Sequence, residues 1–583
     1  MTMVFDFDIV RQATSTANPG HAMASTPAQS DRDLIEAAVS ALSAANPFSL
    51  LSPGQTAAAA DRVSRATLRQ PAAIARRFGD FVAESAKITM GTSEIDLAAD
   101  RRFTHEQYDR NPILRRAGQR YLAFTRSVHE LIDDLELDAK SNLRGHFVAG
   151  LLTEAVAPTN TLAGNPAAIR EAVDTRGESL RDGFRHWLHD QRENGGMPSM
   201  VDTRPFVVGE TIATTPGEVV FRNEVLELIH YEPATEQVRE RPVFIVPPQI
   251  NKYYVLDLAE KRSLVEAAVA AGQQVFMVSW RNPTAEQSEW NLDHYVAALL
   301  EGIDVALDLT GQPNLNMLGV CAGGITTASL LGHLAAVSDQ RVNAVTFLVT
   351  ILDWDVPSTI GTFTSGPAVA ASIQKSQRDG ILSGEDLGRL FAWLRPNDLV
   401  WNYWVNNYLM GKNPPAFDIL SWNVDATNLP AGLHADFLGI ASDNTLTKPN
   451  ELEVLATKVN LSSVTCDAYV VAGYTDHITP WEGCYNTVDL LGGNTEFVLC
   501  KSGHVQTLVC PGDNPKARYF TNPDRAADAN SWKEGATEHT GSWWGHWLTW
   551  MDERGGELID APARLDSDEH PSLGTAPGQY VLG

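Results

Sequence analysis

The stretch Gly319-Val320-Cys321-Ala322-Gly323-Gly324 decides the fold of this chain. It follows the short stretch Asn316-Met317-Leu318 and leads into residues 325–331, a predicted helix. Strand, Gly-x-nucleophile-x-Gly, helix is the order of a nucleophile elbow, a sharp turn that lifts one side chain above a sheet. Glycine is needed two residues either side of the nucleophile because a Cβ there would collide with the neighbouring strand and helix. The sequence therefore predicts a reactive thiol at Cys321.

Length and composition are typical of a large globular protein. The 583 residues leave room for two or more domains, and 44% hydrophobic with 20% charged residues indicates a sizeable core. A formal net charge of −27 argues against nucleic-acid binding, which needs a basic face. The five cysteines have no metal-binding spacing and the first residues lack a signal-peptide pattern, which together favour a cytoplasmic protein. No run approaches the roughly 20 apolar residues of a spanning helix, so we expect no transmembrane segment.

The composition and the hydrophobic pattern of the sequence divide the chain into three parts. Residues 1–45 are rich in Ala, Ser, Thr and Pro and are predicted to be flexible. Residues 46–200 have helical periodicity and are predicted to form an N-terminal helical domain. From 201 to 583, short apolar strands alternate with helices, which is typical of a mostly parallel sheet. The alternation lapses at about 352–460, an insertion rich in Trp, Asn and Pro that is predicted to form a lid or cap.

Two further residues follow strands at positions that an α/β-hydrolase fold would use. Asp476 comes just past Val470-Val471-Ala472-Gly473, and His504 follows Phe497-Val498-Leu499-Cys500, which is predicted to be the last strand of the sheet. The chain order Cys321, Asp476, His504 is nucleophile, acid, histidine, as in this fold. His504 would take the thiol proton, and Asp476 would fix the tautomer of the imidazole and stabilise its charged form. The predicted fold class is an α/β-hydrolase fold with a cap insertion and an N-terminal helical domain.

An oxyanion hole can be partly deduced from the same pattern. One donor is the backbone N–H of Ala322, the residue after the nucleophile. The other should lie in the loop after the strand that ends at Val246, where two prolines have no N–H to offer. Gln249 or Ile250 must therefore donate.

Several residues also have ordinary structural interpretations. A lone buried cysteine is usually a small hydrophobe, and an acid after a strand can simply cap a helix. His477, beside Asp476, is expected to be structural, with a second proton-transfer role as the alternative. The other cysteines are expected to be core or incidental residues: Cys466, Cys484, Cys500 and Cys510. Core or dimer packing is favoured over a lipid or polymer contact for a tryptophan stripe at positions 543, 544, 547 and 550.

The sulfur nucleophile bears on the type of reaction. A thiolate that attacks a coenzyme A thioester exchanges one thioester for another at nearly equal free energy, so the acyl group stays activated on the enzyme. A serine ester would give up that activation. A cysteine therefore suits acyl transfer to an alcohol better than hydrolysis, provided that a lid excludes water.

The motifs together resemble those of polyhydroxyalkanoate synthases, from about residue 100 to the end of the sequence. The segments that carry the resemblance are Gly319-Val320-Cys321-Ala322-Gly323-Gly324, Val246-Pro247-Pro248-Gln249-Ile250-Asn251-Lys252-Tyr253-Tyr254, Val278-Ser279-Trp280-Arg281-Asn282-Pro283, Asn402-Tyr403-Trp404-Val405-Asn406-Asn407-Tyr408, Asp476-His477-Ile478-Thr479-Pro480-Trp481 and Ser502-Gly503-His504. The chain looks most similar to the single-subunit synthases that prefer medium-chain monomers. The resemblance implies polymerisation of (R)-3-hydroxyacyl-CoA into polyester, with release of CoA.

The resemblance also implies residue roles and partners. Cys321 would carry the growing chain as a thioester, His504 would activate Cys321, and the Asp476–His504 pair would help deprotonate the attacking 3-hydroxyl. It implies a homodimer at the surface of cytoplasmic polyester granules, and no metal or other cofactor. Two alternatives are a thioesterase or polyester depolymerase on the same fold, and a catalytically inactive granule-coating protein.

Overall fold

A computed structural model describes residues 70–356, 361 and 367–583 of the chain. The predicted flexible segment 1–45 and residues 46–69 of the predicted helical domain lie outside this description. So do residues 357–360 and 362–366 of the predicted lid.

The first described part of the chain is helical. Its α-helices are α1 Pro71–Met90, α2 Gln107–Arg110, α3 Pro112–Asp134, α4 Ala139–Ala155, α5 Pro166–Asp174 and α6 Glu178–Glu193. The side chain of Asn111 caps α3 by accepting the N–H of Ile113, and the proline at the first helical position has no N–H to leave unpaired. Helix α6 ends at Glu193 and the first strand begins at Gly217, on either side of the predicted domain boundary near residue 200.

The strands of the second part are short and mostly apolar. They are β1 Gly217–Arg222, β2 Leu226–Tyr231, β3 Gln237–Arg239, β4 Val243–Val246, β5 Val275–Trp280, β6 Leu315–Val320, β7 Val342–Leu348, β8 Ile381–Leu382, β9 Leu429–Pro430, β10 Glu453–Val454, β11 Thr457–Lys458, β12 Asp467–Gly473, β13 Thr495–Cys500, β14 Arg518–Thr521, β15 Thr537–Thr540 and β16 Leu558–Asp560. Ten of them form one sheet in the order β1-β2-β5-β4-β6-β7-β12-β13-β14-β15. The run from β5 to β13 is parallel, so the carboxyl ends of these strands share one edge.

Helices cover both faces of this sheet. The helices after β4 are α7 Leu264–Ala270, α8 Leu292–Thr310, α9 Ala322–Ala336, α10 Pro367–Asp379, α11 Gly384–Leu394, α12 Asp418–Val424, α13 Ala431–Asp443, α14 Trp481–Tyr485, α15 Thr487–Leu490, α16 His504–Leu508, α17 Ala529–Glu534 and α18 Trp543–Asp552. Helices α8 and α9 pack on one face, and α7 and α18 on the other. Because both faces are covered, central strands such as β4 and β6 are buried at every position, which explains why their sequences are almost entirely apolar.

The tryptophan stripe belongs to the core. All four side chains lie on α18 and are buried against the sheet: Trp543, Trp544, Trp547 and Trp550. The indole N–H of Trp547 donates to Thr346 Oγ1 of β7 at 3.0 Å. The interpretation as core packing is therefore confirmed for this stripe.

The prediction that β13 is the last strand of the sheet is wrong. β14 pairs antiparallel with β13, and β15 pairs antiparallel with β14. β15 has the sequence Thr537-Glu538-His539-Thr540 and is largely exposed. A polar edge strand lacks the apolar pattern by which a buried strand is recognised in a sequence.

The final residues close the opposite edge of the sheet. Leu573 N–H donates to Val219 O, and Val219 N–H donates to Gly574 O, both at 2.8 Å. Farther along, the buried carboxylate of Glu227 on β2 accepts the N–H groups of Gln579 and Tyr580 at 2.8 Å each. The end of the sequence is thus bound to the first two strands.

The insertion between β7 and β12 contains α10 to α13 and two π-helical turns, Asn397–Trp401 and Trp404–Leu409. It packs against the N-terminal helices. Tyr408 O–H donates to Asp190 Oδ2 of α6 at 2.7 Å, and Asn407 Nδ2 donates to Ser199 O at 2.7 Å. Among the described residues, no helix has the length and apolar character that crossing a membrane requires.

Candidate active site

Cys321 lies on the sharp turn between β6 and α9. Its backbone has φ 50° and ψ −118°, a strained conformation for a residue with a Cβ. A Cβ on Gly319 would lie 2.8 Å from Gly324 Cα, and one on Gly323 would lie 2.4 Å from the carbonyl oxygens of Val246 and Pro247. Both glycines are therefore required by close backbone approach, as the spacing predicts.

His504 lies in reach of this turn. It follows β13 as the first residue of α16, and its side chain is only 8% exposed. Its Nδ1 is 2.6 Å from Asp476 Oδ2, and the sulfur of Cys321 is near enough to influence the charge of the ring. Since Nδ1 faces Asp476, Nε2 is the atom left for the sulfur. The structure thus brings the three predicted residues together in one row, in which His504 and Asp476 are hydrogen-bonded.

Charge attraction governs the protonation of this row. Burial lowers the pKa of His504, but Asp476 and Cys321 favour the charged imidazole and raise the pKa well above its ordinary value. Burial raises the pKa of Asp476, but His504 and hydrogen bonds from Thr479 outweigh it and hold the pKa below its ordinary value. Asp476 is therefore an anion that stabilises an imidazolium, which is what a proton-accepting histidine requires.

The carboxylate of Asp476 is held from several directions. Oδ1 accepts the N–H groups of Ile478 and Thr479 at 2.8 and 3.0 Å, and Oδ2 accepts the Thr479 O–H at 2.8 Å. Asp476 thus caps the turn that follows it and also faces His504, and its catalytic role stays a prediction. Sequence reasoning missed Thr479, although a threonine three residues after the acid is a local signal of such a turn.

His477 lies beside the row but has a different environment. It is half-buried, and burial lowers the pKa of its imidazole to about 4, with Arg395 of the insertion between β7 and β12 adding to the effect. The ring is therefore neutral near neutral pH. The expectation that His477 is structural stays a prediction.

The other four cysteines are in apolar surroundings. Burial raises the pKa of each thiol: Cys466, Cys484, Cys500 and Cys510. Cysteine with a raised pKa is a poor nucleophile. Across the ranges that the structure describes, no group of three or more His, Cys, Asp or Glu side chains is arranged to hold a metal ion.

The predicted oxyanion donors flank the elbow. Ala322 is the first residue of α9, so its N–H has no partner within that helix. Gln249 and Ile250 lie in the loop after β4, beside the first turns of α9. The Gln249 side chain is 2% exposed, and its Nε2 donates to Thr326 Oγ1 at 2.8 Å.

Comparison with known proteins bears on the family of this chain. A family model described as the N-terminus of poly-beta-hydroxybutyrate polymerase (PhaC) matches residues 99–268, and one described as the alpha/beta hydrolase fold matches residues 242–509. Poly(3-hydroxyalkanoate) polymerase 1 of Ectopseudomonas oleovorans is 46% identical over 520 residues, which cover 89% of this chain and 93% of that protein. This chain belongs to the poly(3-hydroxyalkanoate) polymerase family.

Other members of the poly(3-hydroxyalkanoate) polymerase family match over similar lengths. Polymerase 2 of Ectopseudomonas oleovorans is 44% identical over 522 residues, 89% of this chain and 93% of that protein. The polymerase subunit PhaC of Cupriavidus necator is 38% identical over 491 residues, 83% of each chain. The family resemblance and the α/β-hydrolase fold expected from the sequence are both confirmed.

Proposed function

We propose that this chain is an acyltransferase that polymerises (R)-3-hydroxyacyl-CoA into polyester and releases CoA, with Cys321 as the residue that carries the acyl chain. The proposal rests on the row of Cys321, His504 and Asp476 at the carboxyl edge of the sheet, in which His504 and Asp476 are 2.6 Å apart. Relatives named poly(3-hydroxyalkanoate) polymerase match nearly the whole chain, which supports the substrate class.

Acylation uses the thiol and the imidazole in turn. His504 takes the proton of Cys321, and the thiolate attacks the thioester carbonyl carbon of the substrate. The oxyanion that forms is stabilised by the Ala322 N–H and by a donor from the loop after β4. Collapse breaks the bond to the CoA sulfur, which takes the proton from His504 and leaves as CoA.

Elongation reuses the same base. His504 takes the proton of a 3-hydroxyl group, and the hydroxyl oxygen attacks the thioester carbonyl on Cys321. A C–O ester bond forms, the C–S bond breaks, and the proton passes to the departing sulfur. Asp476 stabilises the imidazolium in both steps, so one pair of residues serves attack by sulfur and by oxygen.

The site also fits a thioesterase, in which water takes the place of the 3-hydroxyl. Two observations favour polymerisation. The nucleophile is sulfur, which keeps the acyl group activated, and a large insertion stands where this fold has a lid that excludes water. We propose the insertion between β7 and β12 as that lid.

We further propose a homodimer at the surface of cytoplasmic polyester granules and a preference for medium-chain monomers. The sequence resemblance to the single-subunit synthases that prefer medium-chain monomers supports this preference. Apolar side chains on α5 and α6 support the granule contact, since Val173 is 69% exposed and Phe184 is 58% exposed.

Product analysis tests the function directly. Purified protein is supplied with (R)-3-hydroxydecanoyl-CoA or (R)-3-hydroxybutyryl-CoA, CoA release is followed with a thiol reagent, and the acyl product is identified by mass spectrometry. We expect polymer, faster release from the longer substrate, and no release by Cys321→Ala. Free hydroxy acid as the sole product would establish the thioesterase instead.

A further inference from the structure

One residue of the cap holds the carbonyl groups of both candidate oxyanion-hole residues. Thr427 Oγ1 donates to Gln249 O at 2.9 Å, and Thr427 N–H donates to Ile250 O at 3.1 Å. Thr427 is 2% exposed, so water does not compete for these bonds. Asn251, which follows Ile250, and Ala426, which precedes Thr427, form an antiparallel bridge. The segment just before β9 is thus paired with the loop after β4.

This contact fixes the direction of one backbone donor. The carbonyl of Gln249 and the N–H of Ile250 belong to a single planar trans peptide, in which they point in opposite directions. Anchoring the oxygen on Thr427 therefore sets where the Ile250 N–H points. A hydrogen bond to a carbonyl oxygen also polarises its peptide and strengthens the N–H as a donor.

The loop is anchored from the other side as well. The Gln249 side chain donates to Thr326 on α9, the helix that begins just after Cys321. The peptide between Gln249 and Ile250 is therefore fixed between the nucleophile helix and the cap. A donor held in this way costs little reorganisation when charge develops in front of it.

Thr427 is itself held rigidly. Its neighbour Asn428 donates its backbone N–H to Asn282 Oδ1 and its Nδ2 to Pro283 O, both at 2.9 Å. Asn428 Oδ1 accepts the N–H of Gly384 at 2.9 Å. These bonds connect the segment to the loop after β5 and to the start of α11.

We propose that Thr427 is a positioning residue for the oxyanion hole, whose hydroxyl orients the Gln249–Ile250 peptide so that the Ile250 N–H faces the developing oxyanion. The inference rests on the proposed function, because it concerns the acylation of Cys321. It makes the cap a part of the apparatus that stabilises the transition state. Displacing the cap would then weaken acylation even where substrate still binds.

The test compares two reactions of the same sulfur. Acylation by (R)-3-hydroxydecanoyl-CoA, measured in a single turnover, passes through an oxyanion. In alkylation by iodoacetamide the sulfur attacks a saturated carbon, and no oxyanion forms. Thr427→Val removes the hydroxyl and keeps the shape and the backbone N–H, and Thr427→Ser keeps a hydroxyl. Thr447→Val is the matched control, since Thr447 Oγ1 also donates to a cap carbonyl, Asn444 O at 2.8 Å.

We expect Thr427→Val to slow acylation about tenfold, the effect of one misoriented hydrogen bond, with unchanged half-saturation by substrate. Alkylation stays at the wild-type rate, and Thr427→Ser and Thr447→Val acylate normally. Thermal melting verifies folding, and Thr427→Ala replaces the valine variant if that variant does not fold.

Three outcomes overturn the inference. The first is a wild-type acylation rate in Thr427→Val. The second is an alkylation rate in Thr427→Val that falls as much as its acylation rate. The third is an acylation rate in Thr447→Val that falls as much as that in Thr427→Val. A wild type that is alkylated but never acylated instead overturns the proposed function, and the inference with it.

Discussion

At the scale of single residues, replacement of the sulfur of Cys321 tests the proposed chemistry most directly. We expect Cys321→Ala to abolish CoA release and polymer formation. Cys321→Ser should leave little activity, because a hydroxyl is harder to ionise and its ester loses the activation of the thioester. Steady-state CoA release measures both. Wild-type rates in either variant would contradict the assignment of the nucleophile.

The two neighbouring histidines should differ sharply in their effect on activity. His504→Gln removes the group that is hydrogen-bonded to Asp476 and lies close to Cys321, and we expect a loss of at least about a hundredfold in CoA release. His477→Gln should be mild, because its half-buried imidazole is neutral and lies outside the row. Equal losses in the two variants would reverse this ranking.

The same histidines should have opposite effects on the pH dependence of stability. The raised pKa of His504 means that its pairing stabilises the fold fully below about pH 6.5 and loses that effect as the pH rises through the folded pKa. Because the pKa of Asp476 is lowered, its carboxylate also stabilises the folded state. That stabilisation is lost as the pH falls below about 4. We expect the difference in melting temperature between wild type and His504→Gln to shrink from about pH 6 to about pH 9.

His477→Gln is the matched control for that trend. Because the pKa of His477 is lowered, burying its ring costs stability where the unfolded chain would be protonated, and the wild type gains relative to the variant as the pH rises. Differential scanning calorimetry at several pH values measures both differences. Parallel trends for the two variants would disprove the assigned charge states.

At the scale of elements, the elbow depends on close approach between β4 and α9. Gly323→Ala would put a Cβ 2.4 Å from the carbonyl oxygens of Val246 and Pro247, so the helix must shift. We expect a fall in stability of about 2 kcal/mol or more and loss of activity, measured by chemical denaturation and CoA release.

Gly388→Ala provides the comparison for that substitution. Gly388 lies within α11, and a Cβ there meets nothing within 4 Å. Alanine in a helix interior is favoured over glycine by about 0.5–1 kcal/mol, so this variant should be at least as stable as the wild type. Similar effects of the two substitutions would show that the close approach at Gly323 is unimportant.

The same scale explains which features the sequence can predict. The elbow is predictable because its glycine spacing and its apolar strand are local features. The contact between Thr427 and Gln249 joins residues 178 positions apart, and no local pattern indicates it. The polar strand β15 is not predictable from the sequence for a related reason. Its pairing with β14 comes from backbone hydrogen bonds and not from apolar side chains.

At the scale of the whole molecule, the N-terminal helices contact the insertion between β7 and β12, the proposed cap. Asp190 is 1% exposed and accepts the Tyr408 O–H at 2.7 Å and the Ser199 N–H at 3.0 Å. We expect Asp190→Asn to raise amide exchange about tenfold in residues 397–409, because it loses charge-assisted bonds, and to leave β6 protected. Hydrogen exchange with mass spectrometry measures both regions.

An exposed acid on the neighbouring helix controls for the loss of charge. Asp174 lies at the end of α5, and its side chain is 63% exposed. Asp174→Asn should leave exchange in residues 397–409 unchanged. Equal exchange in wild type and Asp190→Asn would show that the cap is held by other contacts.

The binding of the final residues to β1 and β2 has a consequence for biosynthesis. A ribosome makes β1 and β2 long before Leu573 and Tyr580. On a nascent chain, the edge of β1 and the Glu227 carboxylate therefore lack the hydrogen bonds that these later residues provide. The sheet is completed only after translation has passed these residues. Acquisition of the native state is thereby postponed until residues 573–580 have been made, and a product that stops before them keeps an open edge that quality-control proteases and chaperones can recognise.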